Sequence, residues 1–95
     1  MKYFDWDNDK NEWLIKERGL SFEEVVFYIA KGHILDIIEN PKSEKYKNQK
    51  MFVLEMNEYV YLVPFVEAKH VIFLKTVIPS RKATKKYLRE GEKND

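Results

Sequence analysis

A dense group of positively charged side chains follows the last hydrophobic run of the chain. Directly after Val77-Ile78-Pro79, the segment contains Arg81, Lys82, Lys85, Lys86 and Arg89, with Tyr87 among them. Guanidinium and ammonium groups attract phosphate and donate hydrogen bonds to its oxygens. Any one of these lysines is explained by a solvated charged surface, but the cluster as a whole favours a phosphate-bearing ligand. We therefore predict a nucleic acid partner, contacted by Lys82, Lys85, Lys86 and Tyr87.

Candidate proton-transfer residues lie in the hydrophobic segments. Glu55 interrupts an apolar run, and burial would raise the pKa of its carboxyl toward neutrality, as a general base requires. Lys75 is its candidate partner across the sheet, although an ordinary cross-strand ion pair is the simpler explanation of both residues. His33 follows a helix end and His70 falls in a turn, so neither is assigned to catalysis. The sequence has no phosphate-binding loop and no zinc-ligand spacing, and we predict no metal ion or other cofactor.

The composition predicts one folded domain that spans residues 1–95. Hydrophobic residues make up 44% of the chain and charged residues 35%, which is typical of a compact, soluble domain. No cysteine is present, so disulfides and thiolate metal sites are excluded. No segment has the length of a membrane span or the pattern of a signal peptide, so we expect a cytoplasmic protein without a membrane partner.

Charge is distributed unevenly along the chain. Residues 1–44 contain six Lys and Arg against ten Asp and Glu, a net charge of −4, and residues 45–95 contain eleven against six, a net charge of +5. The two halves add to the formal net charge of +1. We expect an acidic and a basic surface, of which only the basic one attracts phosphate.

Two helices are predicted at the start of the chain. Asp7 is a good N-cap for the first, and Gly19 is a natural left-handed stop. Ser21 and Glu24 form a capping box for the second helix, which we expect to end at Gly32. Almost nothing separates the two helices, so they should form a helical hairpin.

Four apolar runs follow, at residues 34–38, 50–56, 59–66 and 71–78, and a polar, lysine-rich loop occupies residues 40–48. Asn57-Glu58 makes a two-residue hairpin connection, residues 67–70 make a second tight turn, and Ser80 caps a last short helix. The predicted fold is α+β, with two N-terminal helices, a four-stranded antiparallel sheet and a short C-terminal helix.

Register follows from the two turns. If Met56 pairs with Tyr59, Leu54 faces Tyr61 and Phe52 faces Val63. If Glu67 pairs with His70, Val63 faces Leu74 and Leu62 faces Lys75. One sheet face would then pack against the helices through Phe52, Leu54, Tyr61, Val63, Phe65, Ile72, Leu74 and Ile78. The other, more open face would carry Val53, Glu55, Val60, Leu62, Lys75 and Val77, and a one-residue slip would exchange the two sets.

Two motifs bracket nearly the whole chain. The first is Phe4-Asp5-Trp6-Asp7-Asn8-Asp9-Lys10-Asn11, continued by Lys16-Glu17-Arg18-Gly19-Leu20-Ser21-Phe22-Glu23-Glu24, and the second is Val77-Ile78-Pro79-Ser80-Arg81-Lys82-Ala83-Thr84. In this order they resemble the opening and closing motifs of the BrnT family of ribonuclease toxins from bacterial toxin–antitoxin operons.

The resemblance implies a RelE-type fold. It implies that the protein is a ribonuclease that cleaves mRNA and so inhibits translation. It also implies neutralisation by a cognate antitoxin, often of the ribbon-helix-helix type, through which the complex would bind operator DNA. Arg81 matches the closing arginine, and we assign it to the transition-state phosphate because a guanidinium can bind phosphate bidentately. Lys10 and Arg18, from the opening motif, would add positive charge for RNA, although an exposed helix face explains them equally well.

Two other functions remain open at this stage. The histidine that the family usually carries before the glycine is Arg18 here, so a non-catalytic RNA- or protein-binding module of the same fold is the main alternative. A homodimer formed through an exposed face of Val53, Leu62 and Val77 is a third.

Overall fold

Helices packed on a mixed β-sheet make this an α+β structure, which confirms the predicted class. The structure is a computed structural model that describes residues 2–39 and 49–89, so the loop predicted at 40–48 lies outside the described residues. In chain order the elements are β1 (Tyr3–Trp6), α1 (Asn8–Arg18), α2 (Phe22–Ala30), β2 (Ile34–Glu39), β3 (Gln49–Met56), β4 (Tyr59–Glu67), β5 (Val71–Leu74), β6 (Ile78–Pro79) and α3 (Arg81–Thr84), which continues as a π-helical turn over Lys85–Arg89.

The caps that the sequence predicted for the two helices are present. The Asp7 carboxylate accepts a hydrogen bond from the Asp9 backbone N–H at 2.9 Å, and Gly19 ends α1 with a φ of 65°. The Ser21 hydroxyl accepts a hydrogen bond from the Glu24 backbone N–H at 3.1 Å. Each cap satisfies a backbone group that a helix end leaves without a partner. The ends of both helices are therefore determined locally.

Buried Asn11 ties the two helices together. Its side-chain oxygen accepts a hydrogen bond from the Phe22 backbone N–H at 2.8 Å, and its amide donates to the Glu23 carboxylate at 2.8 Å. One side chain of α1 thus satisfies an N-terminal N–H of α2 that the helix itself cannot satisfy. Asn11, in the opening motif, therefore has a structural role.

The prediction of a four-stranded antiparallel sheet was wrong. Within the described residues the sheet has six strands in the order β1-β5-β4-β3-β2, and β6 also pairs with β4. The added edge strand β1 runs parallel to β5, with Tyr3 opposite Val71 and Trp6 opposite Leu74. The sequence of these four residues does not predict a strand, because four residues are too few to show a periodicity. The strand forms by pairing with β5, almost seventy residues away in the chain.

The first hairpin forms in the predicted register. Met56 pairs with Tyr59, Leu54 with Tyr61 and Phe52 with Val63. Asn57 and Glu58 both adopt left-handed backbone conformations, with φ values of 55° and 64°. Positive φ at both central residues defines a type I′ turn, whose twist matches that of the flanking strands.

The second hairpin differs from its prediction in two ways. Phe65, rather than Val63, lies opposite Leu74, a two-residue shift that leaves each side chain on its predicted face. Further along, Leu62 pairs with Ile78. From Phe65 to Leu62 is three residues on β4, whereas from Leu74 to Ile78 is four residues on the opposing segment. This extra residue is a bulge that exchanges the faces beyond it. Val77 is consequently buried in the core, whereas Ile78 is 39% exposed.

The hydrophobic core lies between the two helices and one sheet face. Its buried members are Leu14, Leu20, Phe22, Val25, Phe52, Leu54, Met56, Val63, Phe65, Leu74 and Val77, and Tyr61 and Ile72 pack against them. Apart from Ile78, the predicted helix-facing set of sheet residues is therefore confirmed.

The opposite sheet face is not open. Val53 and Val60 are fully buried, as is Val77 on the core side, and Leu62 is half-buried. The C-terminal helical segment packs on this side, because Thr84 bonds to β4 and Tyr87 reaches Asp36 on β2. The exposed apolar face on which the homodimer hypothesis depended does not exist.

Candidate nucleic-acid interface

Arg18 joins the opening motif to the closing motif. It lies in the last turn of α1, where a cation interacts favourably with the helix dipole. Its Nη1 donates a hydrogen bond to the backbone carbonyl of Val77 at 2.5 Å. Val77 is 59 residues away in sequence and lies immediately before β6. Two segments at opposite ends of the chain therefore meet at one place on the surface.

Trp13 lies beside Arg18 on the same helix. The Lys10 Nζ lies 4.2 Å from the centroid of the Trp13 ring, and the Arg18 Cζ lies 5.1 Å from it. Both distances are within the range of a cation–π interaction. The indole is 43% exposed, although its neighbour Leu14 is fully buried. The two cations predicted from the opening motif thus flank an exposed aromatic ring.

The start of α3 is clamped to β4. The Ser80 hydroxyl accepts a hydrogen bond from the Ala83 backbone N–H at 3.0 Å, and the Ser80 backbone N–H donates to the Val60 carbonyl at 3.0 Å. The Thr84 hydroxyl accepts from the Val60 backbone N–H at 2.9 Å and donates to the Ser80 carbonyl at 2.7 Å. These bonds give the Val60 N–H and carbonyl their hydrogen-bond partners. They also position the backbone at Arg81, the residue directly after Ser80.

The helical segment presents its cations to solvent. Ala83 and Thr84 turn toward the protein, whereas four exposed side chains point away from it: Arg81, Lys82, Lys85 and Lys86. None of the four forms an ion pair with another described residue. Their exposure makes their charge accessible to an anionic ligand.

Tyr87 has a structural contact. Its hydroxyl donates a hydrogen bond to the Asp36 carboxylate at 2.9 Å, and this bond raises the pKa of Tyr87 above its usual value. The Lys86 Nζ lies 5.4 Å from the ring centroid. The half-buried ring therefore anchors the C-terminal segment to β2 and supports the adjacent lysines.

Glu55 and Lys75 are not brought together. Glu55 lies opposite Val60 on β4, whereas the Lys75 backbone N–H donates to the Pro64 carbonyl. Four residues along β4 separate these points, or about 13 Å at the rise of a strand. The described residues show no ion pair between the two side chains. The two-residue shift of the second hairpin moved Lys75 away from its predicted position. Glu55 lies opposite Val60, the residue whose backbone bonds to Ser80 and Thr84.

The two histidines are remote from α3. The His33 Nδ1 lies 3.2 Å from the Glu55 carbonyl, and its ring packs against Tyr28. Three strand spacings, about 14 Å, separate His33 from β6. His70 is exposed at the opposite end of β4 from α3.

Tyr61 is a functional candidate that the sequence analysis placed on the helix-facing side of the sheet and did not include in the site. It pairs with Pro79 of β6, and its ring centroid lies 5.6 Å from that of Tyr59. Partial burial, followed by the charges of Tyr59 and Glu24, raises the pKa of Tyr61. Its hydroxyl therefore stays protonated near neutral pH and can donate a hydrogen bond. The sequence alone does not single out Tyr61, because its position beside the closing motif depends on the pairing of β4 with β6.

Comparisons with known proteins give no relative. No protein-family model matches the chain, and no curated protein or solved structure is significantly similar to it. Over residues 2–39 and 49–89, no helix has the length and hydrophobicity required to cross a membrane. In the same residues, no three histidine or carboxylate side chains are grouped closely enough to hold a metal ion.

Proposed function

We propose that this chain is the toxin of a type II toxin–antitoxin pair, a metal-independent endoribonuclease that cleaves mRNA in the cytoplasm. The observation that supports the proposal most is the hydrogen bond from Arg18 to the Val77 carbonyl. It joins the two segments that resemble the BrnT motifs, and Val77 precedes Arg81, the first cation of α3, by four residues in the sequence. Each group of cations can attract the phosphates of an RNA ligand.

The proposed chemistry uses the ribose as its own nucleophile. The 2′-oxygen attacks the adjacent phosphorus after losing its proton to water, and the bond to the 5′-oxygen breaks. Arg81 stabilises the charge that develops on the phosphate, because its guanidinium is exposed and carries no competing ion pair within the described residues. The leaving oxygen takes its proton from water, and Tyr61, which pairs with Pro79 at the start of the closing helical segment, is the candidate hydrogen-bond donor to the phosphate. The products are a 2′,3′-cyclic phosphate and a 5′-hydroxyl.

The proposed partner is a cognate antitoxin, by resemblance a ribbon-helix-helix protein that carries the complex to operator DNA. An acidic segment of that antitoxin would cover the cations of α3 and so block RNA. Opposite charges at such a contact accelerate association and orient the partner.

A non-catalytic binding module is the second candidate, and one observation favours it. The predicted pair of Glu55 and Lys75 does not form, and both histidines lie away from α3. Such a module would keep the cationic surface and bind RNA or a protein without cleaving it.

Induced expression in bacteria separates the two candidates. An endoribonuclease should arrest growth and deplete bulk mRNA, and co-expression of the adjacent gene should restore growth. Arg81→Ala should abolish the arrest, and Arg81→Lys should restore it only in part because the bidentate contact is lost. Lys69→Ala, an exposed cation in the β4–β5 turn, is the matched control and should remain toxic. Normal growth at high soluble expression would reject the enzyme and leave the binding module.

A further inference from the structure

Trp13 is exposed where a buried tryptophan would be expected. The indole is 43% exposed, whereas the side chain of the next residue, Leu14, is fully buried in the core. The other tryptophan, Trp6, stacks on Phe22 at a centroid distance of 5.6 Å and packs against the core. A large aromatic ring left on the surface commonly marks a site of interaction.

The charges around Trp13 identify the class of ligand. The Lys10 Nζ and the Arg18 Cζ lie 4.2 and 5.1 Å from the ring centroid, so a ligand on the indole meets two positive charges. Arg18 also bonds to the Val77 carbonyl, next to the segment that leads into the cations of α3. An aromatic ring between phosphate-binding groups is the arrangement that holds an unpaired base of single-stranded nucleic acid.

We propose that Trp13 is a stacking platform for an unpaired base of RNA, and that Lys10 and Arg18 bind the phosphates on either side of that base. The inference rests on the proposed RNA-binding function and adds a binding subsite to it. It assigns single-stranded RNA as the substrate class, because a base inside a duplex cannot lie flat on the indole.

Lys10 does not prevent a base from stacking. A lysine over an exposed ring contributes roughly 2- to 5-fold to an equilibrium constant, whereas a stacked base contributes roughly 5- to 150-fold. The base therefore displaces the ammonium from the ring, and the freed ammonium pairs with the neighbouring phosphate. The guanidinium of Arg18 keeps its bond to Val77 and has further N–H donors available.

Phe27 provides a matched control. It is a 55% exposed aromatic residue on α2, with the Lys31 Nζ 5.4 Å from its ring centroid. It resembles Trp13 in exposure and in its cation, but it belongs to neither motif. A general loss of exposed aromatic surface would affect both positions equally.

The test is a fluorescence anisotropy titration of the purified protein with a short, labelled oligoadenylate. Trp13→Ala should weaken binding by roughly 5- to 150-fold, Trp13→Phe should recover most of the affinity, and Phe27→Ala should bind like the unaltered protein. RNA should also quench the tryptophan emission of the unaltered protein far more than that of Trp13→Phe, in which only Trp6 remains.

The outcomes separate this inference from the proposed function. Unchanged RNA affinity in Trp13→Ala, or an equal loss in Phe27→Ala, would overturn the stacking platform while RNA binding itself stands. Loss of antitoxin binding in Trp13→Ala with unchanged RNA affinity would assign the ring to the protein partner and also overturn it. If the unaltered protein does not bind the oligoadenylate, the proposed function and the platform both fall.

Discussion

Replacing Thr84 by valine should loosen the attachment of the basic helical segment. Thr84 is only 3% exposed, and its hydroxyl accepts the Val60 N–H at 2.9 Å while donating to the Ser80 carbonyl at 2.7 Å. Valine keeps the branched shape and a similar helix propensity but supplies neither hydrogen bond. The Ser80 carbonyl still accepts the Thr84 backbone N–H at 3.0 Å. The group left without a partner is therefore the Val60 N–H.

The expected cost follows from that single group. A buried donor that loses its partner costs about 1–3 kcal/mol. For a domain of this size, 1 kcal/mol lowers Tm by about 4–8 °C. We expect Thr84→Val to lose about 1–3 kcal/mol of unfolding free energy and to melt at least about 4 °C lower.

Urea and thermal denaturation followed by circular dichroism measure this loss. Thr76→Val is the control, because Thr76 is half-buried and its hydroxyl bonds to no other described residue. It should change the unfolding free energy by less than about 0.5 kcal/mol. Thr84→Ser, which keeps the hydroxyl, should fall between Thr84→Val and the unaltered protein. Equal stability of the two valine variants would refute the role given to the Thr84 hydroxyl.

Three further predictions concern other parts of the fold. Asn11→Ala should lower the unfolding free energy by about 1–3 kcal/mol in urea denaturation, because the Phe22 N–H loses its buried acceptor. Glu58→Gly should raise it by up to about 1 kcal/mol in the same assay, because Glu58 adopts a φ of 64° that costs an L-residue about 1–2 kcal/mol, offset in part by the backbone entropy of glycine. Tyr87→Phe should be less stable than the unaltered protein at neutral pH. The Tyr87 pKa is raised above 10.0, so its bond to Asp36 stabilises the fold below that pH and is lost as the pH rises through the folded pKa. Denaturation at several pH values should show the difference disappearing in strong alkali.

Each of these predictions has a result that would contradict it. Wild-type stability in Asn11→Ala would mean that water satisfies the Phe22 N–H. A less stable Glu58→Gly variant would mean that the turn is not strained at that residue. A stability difference for Tyr87→Phe that persists unchanged above pH 10 would show that the hydroxyl contributes through packing rather than through its bond to Asp36.

Local signals predicted the helices and the first hairpin. Asp7, Gly19 and Ser21 act within one helical turn of themselves, and Asn57-Glu58 sets a register with its direct neighbours, so their positions follow from the sequence alone. The cations of α3 also follow from the sequence, because Ala83 and Thr84 separate Arg81 and Lys82 from Lys85 and Lys86.

Long-range contacts account for what the sequence analysis missed. Strand β1 forms by pairing with the edge of β5, and the sequence of its four residues does not predict that pairing. The bulge after Leu74 depends on how β4 accommodates β6, and it decides which of Val77 and Ile78 is buried. The two-residue shift of the β4–β5 hairpin places Lys75 beside Pro64 rather than Leu62, so the predicted pair of Glu55 and Lys75 did not form.

The central claim is that this chain is a metal-independent endoribonuclease that uses Arg81. It is tested most directly by incubating the purified protein with single-stranded RNA in EDTA and analysing the new ends. We predict 2′,3′-cyclic phosphate and 5′-hydroxyl ends, a rate roughly 100- to 1000-fold lower in Arg81→Ala, and an unchanged rate in Lys69→Ala. RNA that stays intact with the unaltered protein, or cleavage by Arg81→Ala at the unaltered rate, would contradict the claim.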